Sequence, residues 1–167
     1  MKFATWQVLF VRYRFERLVI RQLRQQNIEC FWPVLRSQNG TKTIEMPLFP
    51  RYVFCKAPSR ALPLSLLPGV LWVVDGEPGD IQEDVQTLKR VTESGLPCKP
   101  GRYSDVGTAA IAQDGPLRGL HGFVKNETHL IIPIRSLLRS VIVETDRTCS
   151  LVCADSRGQS SPEPDAA

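Results

Sequence analysis

Residues 46–56 read Met46-Pro47-Leu48-Phe49-Pro50-Arg51-Tyr52-Val53-Phe54-Cys55-Lys56. From Arg51 onward the side chains alternate. Tyr52 and Phe54 point one way, and Arg51, Val53 and Cys55 the other, which is the period of a β-strand. Pro47 and Pro50 lack an N–H, so they keep the entry to the strand out of any ladder that needs one. Two assignments fit this pattern. Either the aromatics belong to a core, or Phe49, Tyr52 and Phe54 form an apolar docking face.

Upstream, Trp6-Gln7-Val8-Leu9-Phe10-Val11 is β-branched and aromatic, as a strand buried on both faces should be. From Tyr13 to Asn27 the period changes to that of a helix. At about 100° per residue Phe15, Val19, Ile20 and Leu23 share one side, while Arg14, Arg17, Arg21 and Arg24 fall within roughly 80° of arc on another. Such a basic stripe is either a solvated surface or a set of phosphate and base contacts one turn apart. Cys30 to Arg36 reads as a second strand, and Asn39-Gly40 marks a hairpin tip from which Thr43-Ile44-Glu45 returns.

Downstream, Ala61 to Leu67 is a short apolar segment interrupted by Pro63, and Pro68-Gly69 is a turn. Val70-Leu71-Trp72-Val73-Val74 is a further strand, stopped by Asp75-Gly76-Glu77-Pro78-Gly79. Asp80 looks like the N-cap of a helix running through Val85, Leu88 and Val91. Gly95-Leu96-Pro97-Cys98-Lys99-Pro100-Gly101 then has the composition of a linker. Beyond it short apolar segments at 109–112, 122–125, 130–134 and 140–144 are separated by Gly, Asp, Asn and Pro, the spacing of a five-stranded barrel. Residues 135–139 have room for a single helical turn. The tail from Thr148 has few large apolar residues and is expected to be disordered. The predicted class is α+β, with a first domain over 1–95, a linker over 96–103, a small β-barrel over 104–147 and a tail over 148–167.

The bulk properties exclude several classes. A hydrophobic fraction of 43% suffices for a core, and a net charge of +4 makes the position of the arginines matter more than their number. Five cysteines without a C-x-x-C pair, and two histidines at no zinc spacing from them, predict free thiols and no metal site. The Gly-rich stretch from Gly115 to Val124 lacks the Gly-Lys-Ser/Thr ending of a P-loop and the spacing G-x-G-x-x-G, so no nucleotide cofactor is expected. No Ser-His-Asp order with an elbow motif is present, and the acids Glu83-Asp84 sit where a helix start explains them. No catalytic residue is therefore assigned. The first residues lack the roughly 7–15 residue apolar core of a signal peptide, and no apolar run approaches the roughly 20 residues that span a bilayer. A cytoplasmic monomer is expected.

The motifs also carry a resemblance. Trp6-x-Val8, Glu16, Phe31-Trp32-Pro33, Pro47-Leu48-Phe49-Pro50-x-Tyr52-Val53-Phe54 and Pro68-Gly69-Val70 resemble the N-terminal (NGN) domain of the NusG family of transcription elongation factors. Gly115-Pro116-x-x-Gly119-x-x-Gly122-x-Val124 resembles the family's KOW domain, a glycine pattern that ribosomal proteins share. The likeness covers residues 5–146, and its strand motifs look closest to specialised antiterminator paralogues.

The resemblance implies a first domain with an antiparallel sheet and flanking helices, followed by a five-stranded KOW barrel. It implies docking on the clamp helices of the largest subunit of RNA polymerase, with suppression of pausing and termination and no chemistry of the factor's own. Phe10, Phe49, Tyr52 and Phe54 would line the docking face, with Val53 and Cys55 turned inward. Arg12, Arg21, Arg24 and Gln25 occupy the positions where specialised members contact the non-template DNA strand. Leu120 stands in the KOW loop that meets ribosomal protein S10 or the termination factor Rho. Some members hold this second domain as a helical hairpin; the Gly and β-branched content here predicts the barrel. The rival assignment is a ribosome- or RNA-binding KOW protein with an accessory front domain.

Overall fold

The structure, a computed structural model, describes residues 3–58, 63–126, 128–145 and 150–153. Cys149, the segment 59–62 and the tail from 154 onward lie outside the described residues. The fold is a mixture of two helices with antiparallel sheets.

The first sheet has the order β2-β5-β1-β6, built from β1 (Ala4–Val11), β2 (Glu29–Phe31), β5 (Tyr52–Pro58) and β6 (Val70–Val74). β1, internal in this sheet, buries residues on both faces, Trp6 and Val8 on one and Leu9 and Val11 on the other. Helix α1 (Glu16–Gln25) lays Val19, Ile20 and Leu23 on one face, over Leu9, Val11, Val53, Cys55 and Ala57. Helix α2 (Pro78–Glu93) lays Ile81, Val85, Leu88 and Val91 on the other, over Trp6, Val8 and Phe54. The helix starts one turn earlier than expected, with Glu77 rather than Asp80 at its N-cap, because Pro78 suits a first helical position.

The expected second strand is two strands. Trp32-Pro33 interrupts it, and β3 (Val34–Asn39) leaves the sheet to pair with β4 (Lys42–Pro47) as a separate ribbon. Its two-residue turn is Gly40-Thr41, with Gly40 at φ 61°, so the hairpin lies where Asn39-Gly40 signalled it.

The C-terminal half is an antiparallel sheet of six strands, not five, in the order β12-β8-β9-β10-β11-β7. These are β7 (Cys98–Arg102), β8 (Thr108–Ala112), β9 (His121–Asn126), β10 (His129–Ile134), β11 (Arg139–Glu144) and β12 (Leu151–Cys153). A short 3-10 turn at Arg135–Leu137 joins β10 to β11. The expected linker, 96–103, is thus largely a strand, paired with β11 from Cys98↔Val143 to Arg102↔Arg139. Its prolines misled the composition argument: β7 is an edge strand, and an edge can spare an N–H. Within the expected tail, residues 150–153 are placed: β12 pairs with β8, and Asp114 accepts hydrogen bonds from the backbone N–H and hydroxyl of Ser150.

Gly119 and Gly122 have separate reasons to be glycine. Gly119 sits at φ 82°, in the left-handed region. At Gly122 a Cβ would meet the carbonyl oxygen of Ile131 at 2.5 Å, so β9 and β10 could not approach with any side chain there.

The two halves do not stand apart. One apolar cluster contains Phe54 from the first sheet, Ile81, Val85 and Leu88 from α2, and Leu117, Ile134 and Leu137 from the second half. A polar clamp closes over this seam. Asp84 of α2 accepts hydrogen bonds from the backbone N–H of Arg135 (3.4 Å) and from the N–H (2.8 Å) and hydroxyl (2.6 Å) of Ser136. Arg90, two turns on, donates to the carbonyl oxygens of Pro116 and Arg118.

Two outcomes follow. Phe54 is wholly buried, so Phe54→Ala should lower unfolding free energy by about 3–5 kcal/mol in a urea titration. Burial raises the Asp84 carboxyl above its ordinary value of 3.8, outweighing the bonds from Ser136 and Arg135. A raised folded-state pKa gives stability that is complete below the unfolded value and is lost as pH rises through the folded one. The stability difference between the parent and Asp84→Asn should therefore shift against the parent as pH rises above 3.8, measured by denaturant titration across that window.

Candidate functional site

Two surfaces of the first sheet and its surroundings are candidate sites. The first is built where α2 stops covering its face. Phe10 and Tyr52 are register partners across β1 and β5, and Phe10 and Trp72 across β1 and β6, so three aromatics lie side by side. The Phe10 and Trp72 rings stack with centroids 4.3 Å apart at 25°. Tyr52 meets Phe10 edge-on at 5.1 Å. These are the offset and T-shaped geometries that aromatic quadrupoles favour. Trp72 remains 53% exposed, while Phe10 and Tyr52 are half-buried.

Arg51 completes this patch. It is not the first residue of the strand but a turn residue at φ 73°, a conformation costing a non-glycine residue roughly 1–3 kcal/mol. Three contacts hold it there. Its backbone N–H donates to the carboxylate of Glu16 at 3.0 Å, its Nε donates to the carbonyl of Val11 at 3.1 Å, and its guanidinium lies 4.2 Å from the Phe10 ring centroid. Glu16 is itself buried, in the first turn of α1, where the helix dipole favours a carboxylate. The patch can offer a partner three aromatic rings rimmed by one cation.

This arrangement corrects part of the sequence expectation. Phe10 and Tyr52 are on the open patch, but Phe49 and Phe54 are buried, at 3% and 0% exposure. Val53 and Cys55 are buried as expected, yet so is Phe54 on the opposite side of β5, because each face of the sheet has its own helix. Trp72 was missed. Its segment is an apolar run without alternation, and only the register with Phe10 shows which face it takes.

The second surface is a groove of about 950 Å³ between α1, the end of α2 and the start of the β3–β4 ribbon. Arg17, Arg21, Arg24, Gln25, Trp32 and Arg36 are among its lining residues. Glu45 accepts from both Arg17 (3.1 Å) and Arg36 (3.3 Å), and the Arg17 guanidinium lies 5.8 Å from the Trp32 ring. Arg21 and Arg24 make no ion pair among the described residues, and both are exposed. Net positive potential therefore concentrates at those two side chains. Of the expected nucleic-acid residues, the structure brings Arg21, Arg24 and Gln25 together in this groove. Arg12 is elsewhere, at the end of β1, with its guanidinium 5.6 Å from the Phe15 ring and its N–H bonded to Gly69.

Leu120 is half-buried against the shared core and lines a cleft with Asp80, Glu83 and Arg90 of α2. In this arrangement the loop that carries it faces the helix. Among the described residues no group of three potential metal ligands is found, and no helix is long and apolar enough to cross a membrane.

A search of the curated proteins finds no match. Among solved structures, one titled "Domain interaction in Thermotoga maritima NusG" is similar at 16% identity and a TM-score of 0.42, covering 90% of this chain and 92% of that one. The family model described as "Transcription termination factor nusG" matches residues 4–90, more than half of the chain and all of the sheet that carries both surfaces. The chain therefore belongs to the NusG family, whose members are non-enzymatic transcription elongation and antitermination factors that bind RNA polymerase.

Proposed function

We propose that this chain is an antitermination factor of the specialised kind, serving particular operons, and that it docks on the clamp helices of the polymerase through the Phe10–Tyr52–Trp72 patch. The observation that supports this most directly is the patch itself. Three aromatic rings in mutual contact lie at the end of the sheet, Trp72 exposed and Phe10 and Tyr52 half-buried beside it, where the neighbouring Phe54 and Val8 are covered. Trp, Tyr and Arg, all present here, are enriched among the few residues that dominate binding energy at protein interfaces.

The groove supports the second part of the proposal, contact with the non-template DNA strand. Arg21 and Arg24 are one turn apart and make no ion pair among the described residues, and phosphates at matching spacing would neutralise them. The proposed division of the chain is an NGN unit up to residue 95 and a KOW unit after it, with Leu120 as a contact for ribosomal protein S10 or Rho once the KOW unit leaves α2. A ribosome- or RNA-binding role through the KOW unit alone is the competing function; it leaves the open aromatic patch without a use.

Trp72→Ala and Tyr52→Ala are expected to weaken binding to purified RNA polymerase by about 30-fold each, the scale of an interface hot spot, with circular dichroism unchanged. Normal binding by the folded double variant overturns the docking assignment. Arg21→Ala with Arg24→Ala should lower affinity for a single-stranded oligonucleotide and reduce the slope of log affinity against log salt by about 1.4, from roughly 0.7 per phosphate contact. An unchanged slope removes the groove from the proposal.

A further inference from the structure

Cys30 and Cys55 stand directly opposite each other in the β2–β5 ladder. Opposed residues in an antiparallel pair share a face, with Cα atoms about 4.5 or 5.5 Å apart according to the type of pair. Both separations lie inside the roughly 4.4–6.8 Å range of disulfides. Both thiols are free. β2 is a three-residue edge strand held from one side only, so the slight approach needed for bonding displaces no further strand. The other described cysteines have no such partner, since Cys98 faces Val143 and Cys153 faces Ala110.

The two thiols differ in surroundings. Cys55 is wholly buried in the core beneath α1, where burial and then the neighbouring Cys30 push its pKa up to about 12. Cys30 is half-buried and forms part of the wall of the arginine groove. Burial raises its pKa, while the hydrogen bond and charge of Arg24 pull it back. Because the thiolate is the nucleophile, the groove-side Cys30 is the thiol that attacks and Cys55 the one that resolves.

We propose that Cys30 and Cys55 are a redox-modifiable dithiol, which a low-molecular-weight disulfide converts into a cross-strand disulfide in the wall of the groove. The Cys30 thiolate attacks one sulfur of the small disulfide, breaking its S–S bond; the departing thiolate takes a proton from solvent in place of the one Cys30 lost. Cys55 then gives its proton to solvent and attacks Sγ of Cys30, and the second small thiol leaves as its thiolate, which takes up a proton. Two protein thiols are oxidised and one small disulfide is reduced to two thiols. The new bond ties the edge strand to β5 and removes the thiol that Arg24 contacts.

The test is to incubate the full chain with oxidised glutathione at mildly alkaline pH, alkylate the remaining thiols and map the peptides by mass spectrometry. The expected product is one species joining the Cys30 and Cys55 peptides with the loss of two hydrogen atoms. It should be reversed by excess dithiothreitol, and formed equally by a variant carrying Cys98→Ser, Cys149→Ser and Cys153→Ser. Cys30→Ser, at the half-exposed position, should fold normally and leave Cys55 unmodified. Glutathione retained on Cys30 beside an unreacted Cys55, or reaction confined to Cys98, Cys149 and Cys153, overturns the proposal.

Discussion

The structure depends on the buried stripe of α2, which the two halves of the chain share. A helix on a sheet ordinarily turns one stripe inward and leaves the rest to water. Here Ile81, Val85, Leu88 and Val91 belong to a cluster that also contains Phe54 of the first sheet and Leu117, Ile134 and Leu137 of the second half. The acid that such a helix would expose, Asp84, is instead buried and bonded to the backbone and hydroxyl of Ser136. The two halves of the chain are thereby held in one arrangement, and the cleft beside Leu120 is a consequence of it.

The same burial decides what is left for binding. α2 shares a cluster with the Trp6–Val8–Phe54 end of its sheet face; Tyr52 packs at the margin of that cluster, and Phe10 and Trp72 lie outside it. On the opposite face α1 buries its apolar stripe and presents its arginines outward, beside the ribbon that leaves the sheet at Pro33. Each candidate surface is therefore the remainder of a packing interaction. Arg51 shows the connection at one residue: a strained turn held by the buried carboxylate of Glu16 in α1 sets a guanidinium over the aromatic patch on the other face.

Much of this was legible in the residues. Alternation in Arg51–Lys56 and the apolar run of Trp6–Val11 predicted two strands, and the structure makes them neighbours, paired from Ala4↔Pro58 to Phe10↔Tyr52. The 3.6-residue period of α1 placed Val19, Ile20 and Leu23 inward and the arginines outward, because the helix makes both sets inevitable once one is buried. The Asn-Gly turn gave the hairpin its tip. Pattern failed where an edge was concerned: Pro97, Pro100 and Gly101 read as linker, yet β7 closes the open side of β11.

By itself the sequence determined the main strands and helices of the first half, their order and the family to which their motifs belong, since periodicity and turn residues act over a few residues. It did not show β7, β12 or the break between β2 and β3. Only the tertiary structure decided which aromatics are accessible. Tyr52 and Phe54 lie two residues apart on the same side of one strand, yet Phe54 is at 0% exposure while Tyr52 stays at the rim. The difference comes from where α2, many residues away in sequence, ends its contact with the sheet, and no local period carries that information. The strand within 46–56 thus holds one core aromatic, Phe54, and one half-buried aromatic at the rim, Tyr52, where alternation alone predicted a matched pair.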